Sequence, residues 1–327
     1  MASIRLRNGK WQARVIRKGH PSTAKSFITK QDAERWSRGV EIEMDRGSYT
    51  STSTADQTTL AQVIARFCAE VTPHMRSARD DLIRLTALQR HPLCVNFMSS
   101  LTPAKIAAFR DQRLGNVGPG TVIRELAYLS SIINHARREW GITCANPVSL
   151  VRKPPTPQGR QRVLDDAEEV RLFDALDPIG RRSPWMLPLV RLALATAMRR
   201  GELLGLCWEH VDIENKTAVL NMTKNGDRRA VPLSSVARSV LSSLPTLLAG
   251  PVFPISSYAA AAAFDRATSR AGLTDFRFHD LRHTAITRMA EKLPNVIELA
   301  AVTGHRSLKM LQGYYHPSPI NLALKLG

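Results

Sequence analysis

The interpretation of this chain of 327 residues starts from one stretch, Phe278-His279-Asp280-Leu281-Arg282-His283-Thr284. It has the character of a helix start, and His279 and Arg282 stand three positions apart in it. That spacing places an imidazole and a guanidinium on one helix face. A guanidinium offers a planar fork of donors that suits phosphate oxygens, and an imidazole can donate or move a proton. Taken alone, such a pair is more often an ordinary surface feature.

An arginine at the end of an apolar run is the second feature. The run covers residues 187–195, and Arg199 stands just beyond it in Thr-Ala-Met-Arg-Arg-Gly-Glu, residues 196–202. This arrangement is unusual, because a buried cation requires a partner. Glu202 either orients the guanidinium of Arg199 or forms a plain structural ion pair with it.

A predicted hairpin carries the third feature. Residues 218–222 and 229–233 have the pattern of two short strands, and Asn225-Gly226 between them is a strong hairpin signal. Lys224 therefore lies at the shoulder of the hairpin. A single lysine at such a place is ordinarily only solvated.

The pattern is completed by Gly304-His305 and by Tyr314, nine residues after that histidine. The chain resembles the tyrosine recombinase (phage-integrase) family, because it contains five motifs in the family's order: T-x-x-R-x-G-E, a hairpin lysine, H-x-x-R, G-H and a tyrosine. The resemblance implies an enzyme that cuts and rejoins DNA through a 3′-phosphotyrosine, to integrate or excise a mobile element. It also implies that the reaction needs no cofactor or metal. The implied partner is double-stranded DNA with core and arm sites, on which the chain forms a tetramer together with DNA-bending accessory proteins.

The resemblance assigns roles around one scissile phosphate. Arg199 and Arg282 would clamp the phosphate, and His305 would hydrogen-bond to it. Tyr314 would be the nucleophile. Lys224 would protonate the departing 5′ oxygen, and His279 would assist proton transfer. These roles agree with the chemistry. A phenol with a pKa near 10 is a poor nucleophile until its proton is removed, and two guanidiniums address the charge on the non-bridging oxygens.

Two positions depart from the family pattern. Ala197 stands where a glycine is common, and this small-for-small change is expected to matter little. Tyr315 directly follows Tyr314 and is a second candidate nucleophile. If both lie on a helix, one residue is about 100° of rotation, so the two phenols cannot face one phosphate. Because Pro317 must end a helix there, Tyr315 is expected to pack inward or to flank the DNA.

The charge of the whole chain favours a polyanionic partner. Lysine and arginine number 46 against 28 acidic residues, which gives a net charge of +18. A membrane surface is the competing partner, but the sequence shows no long apolar span, lipidation signal or leader. Four cysteines are scattered singly, which predicts free thiols in a reducing compartment, the cytoplasm of a prokaryotic or phage-infected cell.

Residues 1–57 are predicted to form an arm-type DNA-binding domain. Strands at 4–7, 11–16 and 25–28 precede a helix over 30–44, and a polar linker follows at 47–54. The first thirty residues contain eight lysines or arginines and no acid. Its candidate DNA contacts are Arg5, Arg7, Lys10, Arg14, Arg17 and Lys18.

Residues 58–150 are predicted to form a helical core-binding domain. Helices are expected over 59–71, 77–90, 102–114 and 119–140, the last with an apolar stripe at spacings of four and three. A basic, proline-rich linker follows at 151–163, with Arg152 and Lys153 as candidate DNA contacts. It is either a strap across a DNA backbone or an ordinary linker.

Residues 164–327 are predicted to form the catalytic domain, mainly α with a small antiparallel sheet. Asp165 is expected to cap a helix that runs to about Leu176. Further helices are expected near 234–244 and 256–271. The tail 318–327 is predicted to dock as a short helix, in cis or on a neighbouring protomer.

The fold class is therefore mainly α with small β-sheets in several domains, and the predicted function is site-specific recombination. A type IB topoisomerase and a chromosome-dimer resolvase are the enzymatic alternatives. The arm-like module favours recombination over both. A DNA-binding regulator without chemistry is the non-enzymatic alternative, and the complete set of catalytic residue types disfavours it.

Overall fold

The computed structural model describes residues 2–20, 22–46, 53–157, 159–220, 228–245, 247–315 and 323. The chain divides into two compact units, Met1–Gln158 and Gly159–Gly327. The predicted fold class is confirmed, since helices dominate and two small antiparallel sheets accompany them. The finer division of the chain at residues 57, 150 and 163 stays a prediction.

The first unit begins with an antiparallel sheet of order β1-β2-β3. Its strands are β1 (Ala2–Arg7), β2 (Lys10–Val15) and β3 (Thr23–Phe27). Arg7 pairs with Lys10, and Arg5 with Gln12. Because alternate residues of a strand point to opposite faces, the register collects four exposed cations on one side, called the charged face: Arg5, Arg7, Lys10 and Arg14.

The opposite face of this sheet packs on helix α1 (Lys30–Asp45), where Val40 and Met44 cover Val15. Two further candidate DNA contacts lie just beyond β2. Lys18 is exposed, whereas Arg17 forms an ion pair with Asp45 at 2.8 Å.

A helical bundle completes the first unit. Its helices are α2 (Ser53–Gln57), α3 (Leu60–Glu70), α4 (Ala78–Gln89), α5 (Pro103–Leu114) and α6 (Pro119–Glu139). The last four begin and end within about two residues of the predicted helices. The predicted stripe of α6 is buried from Val122 to Ala136. Helix α2 is a difference, because it begins inside the stretch predicted as a linker.

The second unit contains the apolar helix that was predicted before Arg199, and this helix contributes to the core of the unit. Its helices are α7 (Asp166–Leu176), α8 (Met186–Thr196), α9 (Arg200–Leu204), α10 (Ser235–Ser242), α11 (Ser257–Arg270), α12 (Phe278–Lys292), α13 (Val296–Thr303) and α14 (Leu308–Gln312). Helix α7 has the predicted cap, since the Asp165 side chain accepts from the Glu168 amide at 2.7 Å. Leu189, Leu192 and Ala193 of α8 lie in the core of this unit.

A second antiparallel sheet, of order β4-β5-β6, lies in the same unit. Its strands are β4 (Val211–Asp212), β5 (Thr217–Leu220) and β6 (Arg229–Pro232). The two predicted strands pair as expected, and β4 adds a third. The predicted turn with Lys224 lies outside the described residues, and so does the predicted tail helix apart from residue 323. Among the described residues, no helix combines the length and apolar character needed to cross a membrane.

Candidate active site

Arg199 is positioned by a sharp change of direction after α8. Ala197 ends that helix in the left-handed region, with a φ of 53°, and Arg199 then precedes α9 in extended conformation. A left-handed residue is least strained as glycine. Alanine in place of the common glycine therefore introduces backbone strain here, which the small difference in side-chain size did not indicate. The Arg199 amide donates to Glu202 Oε2 at 2.8 Å, and its Nη1 donates to Oε1 at 2.7 Å.

Glu202 is a buried carboxylate shared by two cations. Besides Arg199, it accepts from Arg229 Nη2 at 2.9 Å. Burial alone would raise the pKa of Glu202, but the hydrogen bonds from Arg199 and the charge of Arg229 bring that pKa below its usual value. Glu202 is therefore an ionised anchor, and both alternatives left open by the sequence apply, because the ion pair itself orients Arg199.

Arg229 is a site residue that the sequence analysis missed. It lies on β6 with a side chain 12% exposed, and its Nη1 donates to the Val302 carbonyl at 2.5 Å. Its guanidinium also lies against Gly304, where an added Cβ would meet it at 2.8 Å. The available signal was an arginine in the second strand of the hairpin, which sequence reasoning treats as solvated.

Arg282 is buried on α12, with a relative exposure of 4%. Its Nη1 donates to the Ala197 carbonyl at 2.5 Å, and its Nη2 donates to the Thr303 carbonyl at 2.7 Å. Burial, together with the neighbouring charge of Arg199, lowers the pKa of Arg282 to about 10. The group still carries its charge at neutral pH and connects the end of α8 with the end of α13.

His305 follows the end of α13 and has a defined tautomer. The Thr303 hydroxyl donates to the Leu299 carbonyl at 2.7 Å and lies 2.7 Å from His305 Nδ1. Because that hydroxyl has one hydrogen, Nδ1 must donate to it, and Nε2 faces Arg282 Nη2 at 3.4 Å as an acceptor. Burial and the surrounding guanidiniums lower the pKa of His305 to about 4. The ring is therefore neutral at pH 7.

The side chains of Tyr314 and Tyr315 point in different directions, as expected. The reason is not the rotation of about 100° between neighbouring residues of a helix. Helix α14 ends at Gln312, so both tyrosines lie beyond it and the premise of a shared helix is wrong. The Tyr315 hydroxyl donates to the Leu293 carbonyl. The Tyr314 hydroxyl lies 2.5 Å from His283 Nδ1. Burial raises the pKa of Tyr314, and the charge of Arg282 opposes that shift.

His283, to which the resemblance assigned no role, is the second site residue that the sequence analysis missed. It stands four positions after His279, and the two rings meet edge to face with centroids 5.2 Å apart. His279 is exposed as a residue. Partial burial, followed by the charges of His283 and Arg282, lowers the pKa of His279. The spacing of four on a helix was the signal that could have identified His283.

One region of the second unit thus holds most of the predicted site residues: Arg199, Glu202, His279, Arg282, His305 and Tyr314, with Tyr315 turned away. Lys224 lies outside the described residues. The candidate DNA contacts Arg152 and Lys153 are exposed in the first unit. Two other cations of the predicted linker are engaged within the second unit, since Arg160 binds Asp280 and Arg162 binds Glu168.

Known proteins share this sequence and architecture. The profile of the phage integrase family matches residues 162–319. The shufflon-specific DNA recombinase of Escherichia coli is 41% identical over 277 residues, which cover 82% of this chain and 71% of that protein. A putative integrase/recombinase of Haemophilus influenzae is 33% identical over 329 residues, which cover 97% of this chain and 87% of the relative.

Solved structures share the fold at lower identity. A lambda integrase tetramer bound to a Holliday junction matches with a TM-score of 0.65 and 20% identity, over 97% of this chain and 98% of the other. The Tn1549 transposon integrase in complex with circular intermediate DNA matches with a TM-score of 0.66 and 17% identity, over 83% and 99%. By its sequence relatives, the chain belongs to the phage integrase family of tyrosine recombinases, enzymes that cut and rejoin DNA at specific sites.

Proposed function

We propose that this chain is a site-specific DNA recombinase that forms a 3′-phosphotyrosine intermediate with Tyr314 as the nucleophile. One observation carries the proposal: two anchored guanidiniums lie in the same region as a partly buried phenol. Arg199 is held by Glu202, and Arg282 is held by two backbone carbonyls. Fixed cations of this kind stabilise charge that develops on a phosphate in the transition state.

In the proposed reaction, the scissile phosphate binds between Arg199 and Arg282. Tyr314 loses its phenol proton to a base of the site, and its oxygen forms a bond to phosphorus as the bond to the 5′ oxygen breaks. Lys224 gives its proton to that departing oxygen, and His279 assists proton transfer. Rejoining is the reverse, in which a 5′ hydroxyl attacks the phosphotyrosine, so the energy of the phosphodiester is conserved and no nucleotide is consumed.

The scheme requires the protonation state of His305 to change when DNA binds. In the free protein its Nε2 accepts a hydrogen bond, so the neutral ring in this tautomer cannot donate to a phosphate oxygen. A phosphate anion bound beside the ring favours the imidazolium, which donates from both nitrogens. His305 is therefore proposed to hydrogen-bond the phosphate after taking up a proton.

The proposed partners are double-stranded DNA with core and arm sites and three further copies of the chain. The lambda integrase tetramer on a Holliday junction supports this assembly by analogy. The exposed cations Arg152 and Lys153 and the charged face of the first unit are proposed to contact DNA backbone. DNA-bending accessory proteins are part of the same proposal.

An exchange assay separates recombination from simple relaxation of DNA. The target is found by sequencing the DNA junctions that flank the gene, and two copies are placed on one supercoiled plasmid. A recombinase yields inverted or deleted plasmid according to the orientation of the sites. Relaxed plasmid of unchanged sequence order, formed also without the sites, would instead identify a topoisomerase.

A further inference from the structure

We propose that His283 is the catalytic base of DNA cleavage, which accepts the phenol proton of Tyr314 and returns it when the strand is rejoined. This inference rests on the proposed role of Tyr314 as the nucleophile. It gives a function to a histidine that received no role from the resemblance to the family.

The contact between the two side chains has the geometry of a proton transfer. The Tyr314 oxygen lies 2.5 Å from His283 Nδ1. The two rings are stacked, with centroids 5.7 Å apart and planes 20° apart. A base within hydrogen-bond reach of the proton that it removes meets the first requirement of general base catalysis.

The charge state of the ring is also suitable. Burial lowers the pKa of His283, which leaves the ring neutral at pH 7 with one nitrogen able to accept a proton. Asp280 opposes this shift by its negative charge, while Arg282 and Arg160 reinforce it. His279 is the other titratable ring in contact, at its edge. Asp280 would therefore stabilise the imidazolium that forms transiently.

His305 is committed elsewhere. Its Nδ1 lies against Thr303 and its Nε2 lies against Arg282. Both nitrogens of that ring therefore have partners other than Tyr314. His283 presents a nitrogen directly to the phenol, so the two rings have different tasks.

The proposed step balances in protons and electrons. The O–H bond of Tyr314 breaks and the proton moves to His283 Nδ1, while the electron pair of that oxygen forms the bond to phosphorus. The bond from phosphorus to the 5′ oxygen breaks, and that oxygen takes a proton from Lys224. In rejoining, the 5′ hydroxyl gives its proton back to Lys224 and its oxygen forms the bond to phosphorus. The bond from phosphorus to Tyr314 breaks, and His283 returns its proton to the phenolate oxygen.

The test measures single-turnover adduct formation by the full chain on a nicked duplex that contains the target site, between pH 6 and 9.5. The variants are His283→Asn and His283→Ala, with Tyr314→Phe and His210→Asn as controls. Asparagine places an oxygen near the position of Nδ1, so it can hold the phenol but cannot take its proton. Thermal unfolding and DNA binding are measured for each variant, to exclude loss of fold or of affinity.

We expect both His283 variants to bind DNA normally and to cleave roughly 10²–10⁴-fold more slowly at pH 7. Their rates should rise by about tenfold per pH unit above pH 7, since solvent hydroxide then removes the proton. The wild-type rate should stay nearly constant there. A 5′-bridging sulfur, which leaves without a proton, should rescue Lys224→Ala but neither His283 variant. Added imidazole should partly rescue His283→Ala.

Wild-type rate and pH dependence in His283→Asn, with an adduct that still requires Tyr314, would overturn the base assignment alone. That result would mean that His283 only positions the phenol. An adduct that persists in Tyr314→Phe would overturn both this inference and the assignment of the nucleophile. His210→Asn should cleave DNA with the rate and pH dependence of the wild type.

Discussion

A single glycine supports the arrangement of the cations at the site. Gly304 has a φ of 70°, and a Cβ there would meet the Arg229 guanidinium at 2.8 Å. Arg229 in turn binds Glu202, the carboxylate that orients Arg199. Displacing Arg229 therefore disturbs the phosphate clamp through two contacts.

We predict that Gly304→Ala destabilises the protein by more than the cost of a left-handed alanine, which is about 1–2 kcal/mol. Gly272→Ala is the matched control, because Gly272 has a φ of 66° but an added Cβ there meets nothing within 4 Å. Chemical denaturation gives both values, and cleavage assays should show a loss for Gly304→Ala alone. Equal destabilisation of the two variants would show that Arg229 moves aside without cost.

The start of helix α12 is fixed by a residue far away in the sequence. Arg160 donates to both carboxylate oxygens of Asp280, at 3.0 and 2.8 Å, and also binds Asp275. Asp280 is fully buried and accepts from the Arg277 amide at 2.8 Å, which caps the helix. The helix that carries His279, Arg282 and His283 thus depends on this pairing.

We predict that Arg160→Gln destabilises the protein by about 1–3 kcal/mol, because a buried carboxylate loses a charged partner. Burial raises the pKa of Asp280, but the hydrogen bonds from Arg160 and from the Arg277 amide lower it below its usual value overall. The stability that follows from this lowered pKa is present at neutral pH and is lost as pH falls. Without Arg160 the folded pKa rises, so acid unfolding should begin at a higher pH.

Arg277→Gln is the control for this prediction. Its side chain lies 3.8 Å from Asp275, and both groups are about 70% exposed, so little stability should depend on the pair. Urea unfolding at pH 7 and pH 5 measures both variants. An Arg160 variant as stable as Arg277→Gln at both values would contradict the account.

The limits of sequence-based prediction are visible at the scale of elements. The long helix α6 follows from its apolar stripe and begins at the predicted residue, and α12 begins within the stretch 278–284 that was predicted as a helix start. Short elements such as α9, with five residues, and β4, with two, contain too little pattern to be recognised. Tertiary contacts decide whether such pieces form.

The same limit applies to the site. The resemblance supplied the order of the arginines, histidines and tyrosine, but Arg160 and Asp280 are 120 positions apart and their pairing has no local signal. Arg229 was missed because its partner Glu202 precedes it by 27 positions. Tertiary structure alone brings these charges together, so the electrostatics of the site could not be predicted from residue types.

At the scale of the whole molecule, the distribution of charge predicts how the protein binds DNA. The charged face of the first unit presents Arg5, Arg7, Lys10 and Arg14 together. Each phosphate contact releases counterions, so affinity should fall steeply with salt, with a slope of about 0.9 per contact. These residues lie apart from the catalytic set in the sequence.

We predict that Arg5→Gln, Arg7→Gln and Arg14→Gln combined reduce that slope by roughly two to three and weaken arm-site binding, while core-site cleavage persists. Arg35→Gln with Arg38→Gln is the control, because these arginines lie beside Asp32 and Glu34 on α1, at 3.9 and 3.8 Å. Titrations of labelled duplexes at several salt concentrations give the slopes. An unchanged slope in the triple variant would exclude the charged face as a DNA contact.

The central claim is that Tyr314, and not Tyr315, attacks the phosphate beside Arg199 and Arg282. Mass spectrometry of the DNA-linked peptide, after trapping on a nicked duplex and protease digestion, tests it most directly. We predict an adduct on Tyr314 that is absent in Tyr314→Phe and present in Tyr315→Phe, with DNA binding retained in both. An adduct on Tyr315, or one that survives in Tyr314→Phe, would contradict the account.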